Sequence, residues 1–175
     1  MKPRPEQDTT QRTGRVMLIA AWVGGLVLLT LLFQDVLESR FNPNGEPLVR
    51  AGQDGRSEVV LERNAQGHYV ANGFINGYPV TFLVDTGATD VALSEALAER
   101  LRLQRGGGAI SQTANGPVAV WQTILDQVRI GSIALGDVRA SILPAMRADD
   151  PVLLGMSFLR QVELVQREGQ LLLRH

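Results

Sequence analysis

The run Phe82-Leu83-Val84-Asp85-Thr86-Gly87-Ala88 decides how the rest of the chain is read. Three apolar residues bring an aspartate to the end of a strand, where buried flanks hold its carboxylate rigidly. Gly87 lets the backbone turn tightly and lets another chain come close. Thr86 offers a hydroxyl for a bond to a neighbour, and Ala88 leaves room beside the acid. One carboxylate alone is a weak acid–base catalyst for amide hydrolysis. Two that share a proton differ: at about 3 Å they cannot both ionise, so one stays protonated while the other acts as base. Such a pair titrates as a unit. The chain must therefore find a second carboxylate. Asp126, Asp137, Asp149 and Asp150 sit in turn-like settings and read as solvated, and no Thr-Gly follows Asp149-Asp150. The plain alternative for Asp85 itself is a turn aspartate after an edge strand.

Around this run the pattern is one of short strands. Glu58 to Glu62 and His68 to Ile75 flank a turn at Arg63 to Gly67. Asn76-Gly77, the strongest hairpin signal in the chain, joins Gly73-Phe74-Ile75 to Tyr78 through Val84. Ser94 caps a short helix through Leu101, with Glu95 in its first turn. Further strands are expected at Val118–Trp121, Thr123–Ile130, Ile133–Leu135 and Val138–Leu143. Val152-Leu153-Leu154-Gly155 then leads to a second short helix near Met156 to Arg160, and Val162–Val165 and Leu171–Leu173 close the chain. The folded part is thus all-β with one or two short helices. It also reads as two related halves, each a hairpin, an apolar strand, a glycine-bearing loop and a short helix. Trp121 reads as hairpin packing, and Gly106-Gly107-Gly108 as a flexible connector, since no Lys-Ser/Thr follows it.

Towards the N-terminus, Val16 to Phe33 runs eighteen residues without a charge. As a helix it rises about 27 Å, close to a bilayer core. It is apolar all round, unlike the one-sided stripe of a core helix. A cleaved signal peptide is the rival, but Phe33-Gln34-Asp35-Val36-Leu37-Glu38 lacks a small-x-small site. The expectation is an uncleaved transmembrane helix over residues 16–34. Lys2, Arg4, Arg12 and Arg15 outnumber Glu6 and Asp8, so residues 1–15 are expected in the cytoplasm. That places the rest outside the inner membrane, in the periplasm for a bacterium. Residues 35–56, rich in Asn, Pro and Gly, read as a linker, and residues 57–175 as the folded domain.

Composition removes several classes. A chain of 175 residues with net charge -1 carries no field that favours nucleic acid. It has no cysteine, which excludes thiolate chemistry, and only two histidines, His68 and His175, so a histidine triad or zinc site is poorly supplied. No metal and no cofactor is expected.

With these residues in view, Phe82 to Ala88 resembles the active-site loop of the retropepsin-like aspartic proteases, and Leu153-Leu154-Gly155 resembles their second signature. The 68 residues from Asp85 to Leu153 are near the spacing that fold uses. The likeness covers Ser57 to His175, and with the N-terminal helix it is similar to a bacterial, single-pass, membrane-anchored group. It implies a retropepsin-like closed β-barrel or sandwich and an aspartic endopeptidase. Catalysis then falls to Asp85, Thr86 and Gly87. Ala88, Thr89 and Asp90 line the substrate, and a hairpin flap over Ile110 to Val120, tipped by Asn115 and Gly116, closes over it. The viral glycine-rich flap sequence is absent, and Thr89-Asp90 stands where viral members have two aspartates. One Asp-Thr-Gly per chain implies a homodimer that shares one site and a peptide or protein as substrate. The competing reading is a non-catalytic module that holds an extended peptide by main-chain bonds or scaffolds a membrane complex. An intact Asp-Thr-Gly argues against it.

Overall fold

The structure, a computed structural model, describes residues 7–52, 55, 57–113 and 116–175. It divides into two compact units, one running to Glu38 and one covering Ser39–His175.

The first unit is the greater part of one helix, α1 (Gln7–Phe41). Its large apolar side chains, from Val16 and Trp22 to Phe33, are all exposed. Thr30 returns its hydroxyl to the carbonyl of Leu26 at 2.8 Å, so its polar group is satisfied within the helix. The stretch Arg12–Phe41, which contains an 18-residue window of mean hydropathy 2.5, is long and apolar enough to cross a membrane. By length and composition, a membrane span and a signal sequence meet that description equally.

The second unit is built from β1 (Leu48–Ala51), β2 (Ser57–Glu62), β3 (Val70–Ile75), β4 (Tyr78–Val84), β5 (Val91–Ser94), α2 (Glu95–Arg100), β6 (Gly108–Thr113), β7 (Gly116–Ile130), β8 (Ile133–Leu143), β9 (Val152–Leu154), α3 (Met156–Leu159), β10 (Glu163–Arg167) and β11 (Gln170–Arg174). One sheet runs β3-β4-β9-β5-β8-β7-β6. Phe74 and Ile75 of β3 pair back onto Arg129 and Val128 of β7, which closes six of these strands into a barrel and leaves β6 outside. Closure removes sheet edges. The other sheet, β1-β2-β11-β10, is open. One apolar core spans both: Leu61 and Leu173 come from the open sheet, and Phe82, Leu93, Leu125, Ile142, Leu154 and Phe158 from the barrel and its helices. The expected all-β architecture with short helices is the one found.

Local chemistry accounts for the main turns. Asn76 and Gly77 take φ of 50 and 79, the left-handed pair that a two-residue hairpin needs. Asn76 then accepts the main-chain N–H of Gln127 on its Oδ1 at 2.9 Å, so the turn is also tied to β7. Ser94 caps α2, accepting from the N–H of Leu97 at 3.2 Å.

Four expectations change. The helix does not stop at Gln34 but runs to Phe41. The supposed linker is largely folded: Leu48–Ala51 pairs with β2, and Asn44 is buried. Its Nδ2 donates to the carbonyls of Glu62 (2.9 Å) and Val70 (2.7 Å), so a turn-forming residue works as a polar rivet between two strands. The pieces 118–121 and 123–130 are one strand, as are 133–135 and 138–143, because β7 and β8 pair from Trp121↔Ile142 to Ile130↔Ile133 in one register. Gly106 and Gly107 are not a free connector. The N–H of Gly106 donates to the Gln122 carbonyl at 2.8 Å, and the N–H of Gln122 to the Gly107 carbonyl at 3.0 Å.

Candidate active site

Asp85 leaves the barrel at the end of β4, beside β9. The two strands are parallel, with Phe82↔Val152 and Val84↔Leu154, so the Asp85 loop and the Gly155 turn emerge at the same end. The main chain fixes the aspartate from both sides. Val84 N–H donates to the Tyr69 carbonyl at 2.9 Å and Asp85 N–H to the Leu154 carbonyl at 3.2 Å. The Asp85 carboxylate accepts the N–H of Gly87 on Oδ1 at 2.8 Å, a turn in which the side chain bonds its own backbone two residues on. Asp85 is half-buried, while Thr86 and Gly87 are exposed. The carboxylate is therefore held in place but not sealed off.

The second clamp comes from α3. A helix leaves its first N–H groups without partners. Gly155, at its N-cap, has no side chain to supply one. The loop supplies them instead: Met156 N–H donates to the Ala88 carbonyl at 2.8 Å, and Ser157 N–H to the Thr89 carbonyl at 2.9 Å. Ser157 Oγ also accepts from Val91 N–H at 3.0 Å and donates to the Arg139 carbonyl at 2.7 Å. Gly155 itself lies so close that a Cβ there would overlap the Asp90 carbonyl and stand 2.8 Å from the Ala88 oxygen.

The structure gathers Asp85, Thr86, Gly87, Ala88, Thr89 and Asp90 into this one clamped loop. Asp90 is mostly buried, with Oδ1 3.6 Å from Arg139 Nε and no hydrogen bond. Thr89 and Asp90 line a cleft of about 920 Å³ that reaches Arg105, Gln122 and Arg139. Gly116 begins β7 and is paired with Thr113 of β6. Asn115 lies outside the described residues. The hairpin carries an apolar groove of about 420 Å³ lined by Ala109, Ile110, Ala119, Val120, Trp121 and Pro144. Trp121 packs against Gly108 across the strand pair, as hairpin packing requires.

Other acids are engaged elsewhere. Asp126 accepts from Asn76 Nδ2 at 3.1 Å. Asp150 accepts the N–H of Arg147 at 2.8 Å. Asp149 is exposed, and its carboxyl is held below the usual range by its own main-chain N–H and then by Arg147. Sequence reasoning missed Ser157 and Arg139, whose only signal was proximity in chain to Gly155 and to β8.

The family described as "gag-polyprotein putative aspartyl protease" matches residues 71–161. This chain belongs to it. The chain is 32% identical over 134 residues to an uncharacterized protein in the cobV 5' region of Sinorhizobium sp., covering 74% of this chain and 57% of that one. It is 31% identical over 97 residues to an uncharacterized protein of Rickettsia prowazekii, covering 49% of this chain and 42% of that one. The chain thus spans about half the length of the curated relatives it matches. Among solved structures it is similar to a retropepsin-like aspartic protease from Rickettsia conorii, with TM-score 0.55 and 26% identity over 74% of this chain and 95% of that one. Fold and family are therefore retropepsin-like.

Proposed function

We propose that this chain is a membrane-anchored aspartic endopeptidase whose active site forms between two copies. The observation that carries the reading is the Asp85 loop: a rigidly clamped, half-exposed carboxylate at the end of a closed barrel, present once per chain. In the dimer two Asp85 side chains share one proton, because like charges at about 3 Å cannot both ionise. The ionised one takes a proton from water. The protonated one donates to the scissile carbonyl as the water oxygen attacks its carbon. Collapse then breaks the C–N bond, and the amine leaves with a proton. Thr86 and Gly87 hold the loop against its mate, and the small Ala88 admits substrate. Thr89 and Asp90, next in the same loop, contact the peptide backbone. Asn115 and Gly116 cover it. The apolar groove beside Trp121 suits an apolar substrate side chain.

Residues 16–34 of α1 form the anchor. Residues 1–15 stay in the cytoplasm by the positive-inside rule, and the domain faces the periplasm. The substrate is then an extended or unfolded segment of a protein near the membrane. The test is cleavage of an unfolded protein by the purified full chain in detergent. Activity should be highest at acidic pH, where one of the two carboxyls is protonated. Asp85→Asn should abolish it with the fold intact by circular dichroism. Cleavage that survives this substitution removes Asp85 from the chemistry.

A further inference from the structure

The chain is fastened to the barrel from Phe41 onward. Asn64 Nδ2 donates to the carbonyl of Phe41, the last residue of α1, at 2.9 Å, and Asn42 Nδ2 donates to Asn72 Oδ1 at 2.8 Å. Phe41 comes eight residues after Phe33, where the uncharged run ends. As helix those residues rise about 12 Å, and any tilt brings Phe41 nearer to the bilayer core. The polar headgroup layer takes up about 5–8 Å of that height. With residues 16–34 spanning a membrane, the barrel face around Phe41 stands within side-chain reach of the headgroups.

The chemistry of that face suits them. Phe41, Tyr78 and Pro79 border a hollow of about 260 Å³ that also holds Arg100 and Asp150. Phe41 and Tyr78 are exposed, and amphipathic aromatic rings such as that of tyrosine favour the headgroup level. Arg100, in the last turn of α2, belongs to no ion pair among the described residues. Asp150 uses one carboxylate oxygen, Oδ2, to accept the Arg147 N–H at 2.8 Å. Its neighbour Asp149 is taken up by Arg147 Nε at 3.2 Å. One hollow therefore offers an unpaired cation and a carboxylate with an oxygen to spare, inside an apolar rim.

We propose that this hollow seats the headgroup of an aminophospholipid, so that the barrel rests on the membrane through the face around Phe41. The phosphate pairs with the Arg100 guanidinium, whose planar donors match its oxygens. The ammonium donates to Asp150. A quaternary choline has no N–H to give, so the hollow prefers ethanolamine. The inference rests on the reading of residues 16–34 as a membrane span. It also sets the direction of the site: Tyr78 begins β4 and Asp85 follows its end, about 20 Å further along the strand. The Asp85 loop then opens away from the lipid.

The chain lacks cysteine, so a single thiol carries a fluorescent label to one chosen place. Ala148→Cys, on the wall of the hollow, is labelled in the full chain and reconstituted in vesicles of phosphatidylethanolamine and phosphatidylcholine. A nitroxide on the headgroups should quench this label strongly. A label on Arg160→Cys, exposed at the end of α3 near the Asp85 loop, should be quenched little. Arg100→Gln should lower the ratio of docked to undocked barrel about fivefold, the factor for about 1 kcal/mol per arginine at a headgroup surface. Vesicles of phosphatidylcholine alone should act in the same direction, and Asp150→Asn should abolish the response to that exchange. Equal quenching at positions 148 and 160 would overturn the docking, as would a label at 148 indifferent to both Arg100→Gln and the lipid exchange. The span is read separately. With Trp121→Phe, Trp22 is the one indole left, and lipids with a nitroxide in mid-chain should quench it. Quenched Trp22 with equal signals at 148 and 160 keeps the span and removes the docking. Quenching at 148 with Trp22 untouched keeps the docking and removes the span.

Discussion

Gly155 is packed directly against the backbone of the Asp85 loop. A Cβ there would overlap the Asp90 carbonyl and press on that of Ala88, and both are backbone atoms that cannot swing away. Gly155→Ala should therefore push the Asp85 loop off α3. The expected cost is about 1–3 kcal/mol of unfolding free energy, the range for overpacking a tight site. If Asp85 is catalytic, turnover should also fall about 100-fold, since a shift of about 1 Å is enough. Urea unfolding and peptide-cleavage rates on the same preparation check both parts, and full activity in a destabilised variant would separate packing from positioning. The Asp85 loop and Gly155 were legible in sequence because each is a run of adjacent residues with a characteristic order. Ser157 was not. It touches Val91, 66 positions away, and the carbonyl of Arg139, and a lone serine gives no sign of such partners. The Asp90–Arg139 ion pair was hidden for the same reason.

Between elements, the segment before β2 carries more of the fold than its composition suggests. Asn42, Pro43, Asn44 and Gly45 are turn formers, and turn formers in a row read as linker. What composition cannot show is that Asn44 is enclosed by β2 and β3. Its Nδ2 donates to two strand carbonyls, and its own carbonyl accepts from Asn72 N–H at 3.1 Å. Asn44→Ala removes this donor from both carbonyls, one buried and one part-buried. The expected loss is about 2–4 kcal/mol, on a cost of about 1–3 kcal/mol for each unsatisfied group. Asn44→Asp should lose as much, because a carboxylate has nothing to donate. Thermal melts of the full chain decide it. Unchanged melting in both variants would mean that the open sheet does not depend on this rivet. Hairpins were legible where a turn has its own signature, as at Asn76-Gly77. The lengths of β7 and β8 were not, because polar residues such as Gln122 face out of a long strand as readily as they break one.

At the scale of the whole molecule, the proposed anchor and the proposed shared site imply a dependence on surface density. In the proposed arrangement each chain holds half a site, and α1 confines the chains to a plane. Confinement raises the local concentration of partners without adding contacts. A site shared by two copies exists only while they are associated, so in free solution it should be lost on dilution. A chain beginning at Ser39, which keeps the second compact unit whole, should lose specific activity in proportion to dilution once below its dissociation constant. The full chain in lipid vesicles should not, if the vesicles are diluted at fixed lipid-to-protein ratio, because surface density is then unchanged. Raising the lipid content at constant total protein should reproduce the loss. Specific activity plotted against concentration for both forms is the measurement. A flat line for the shortened chain at every concentration would mean that one copy is enough. A parallel fall for both would mean that the helix does not concentrate the chains.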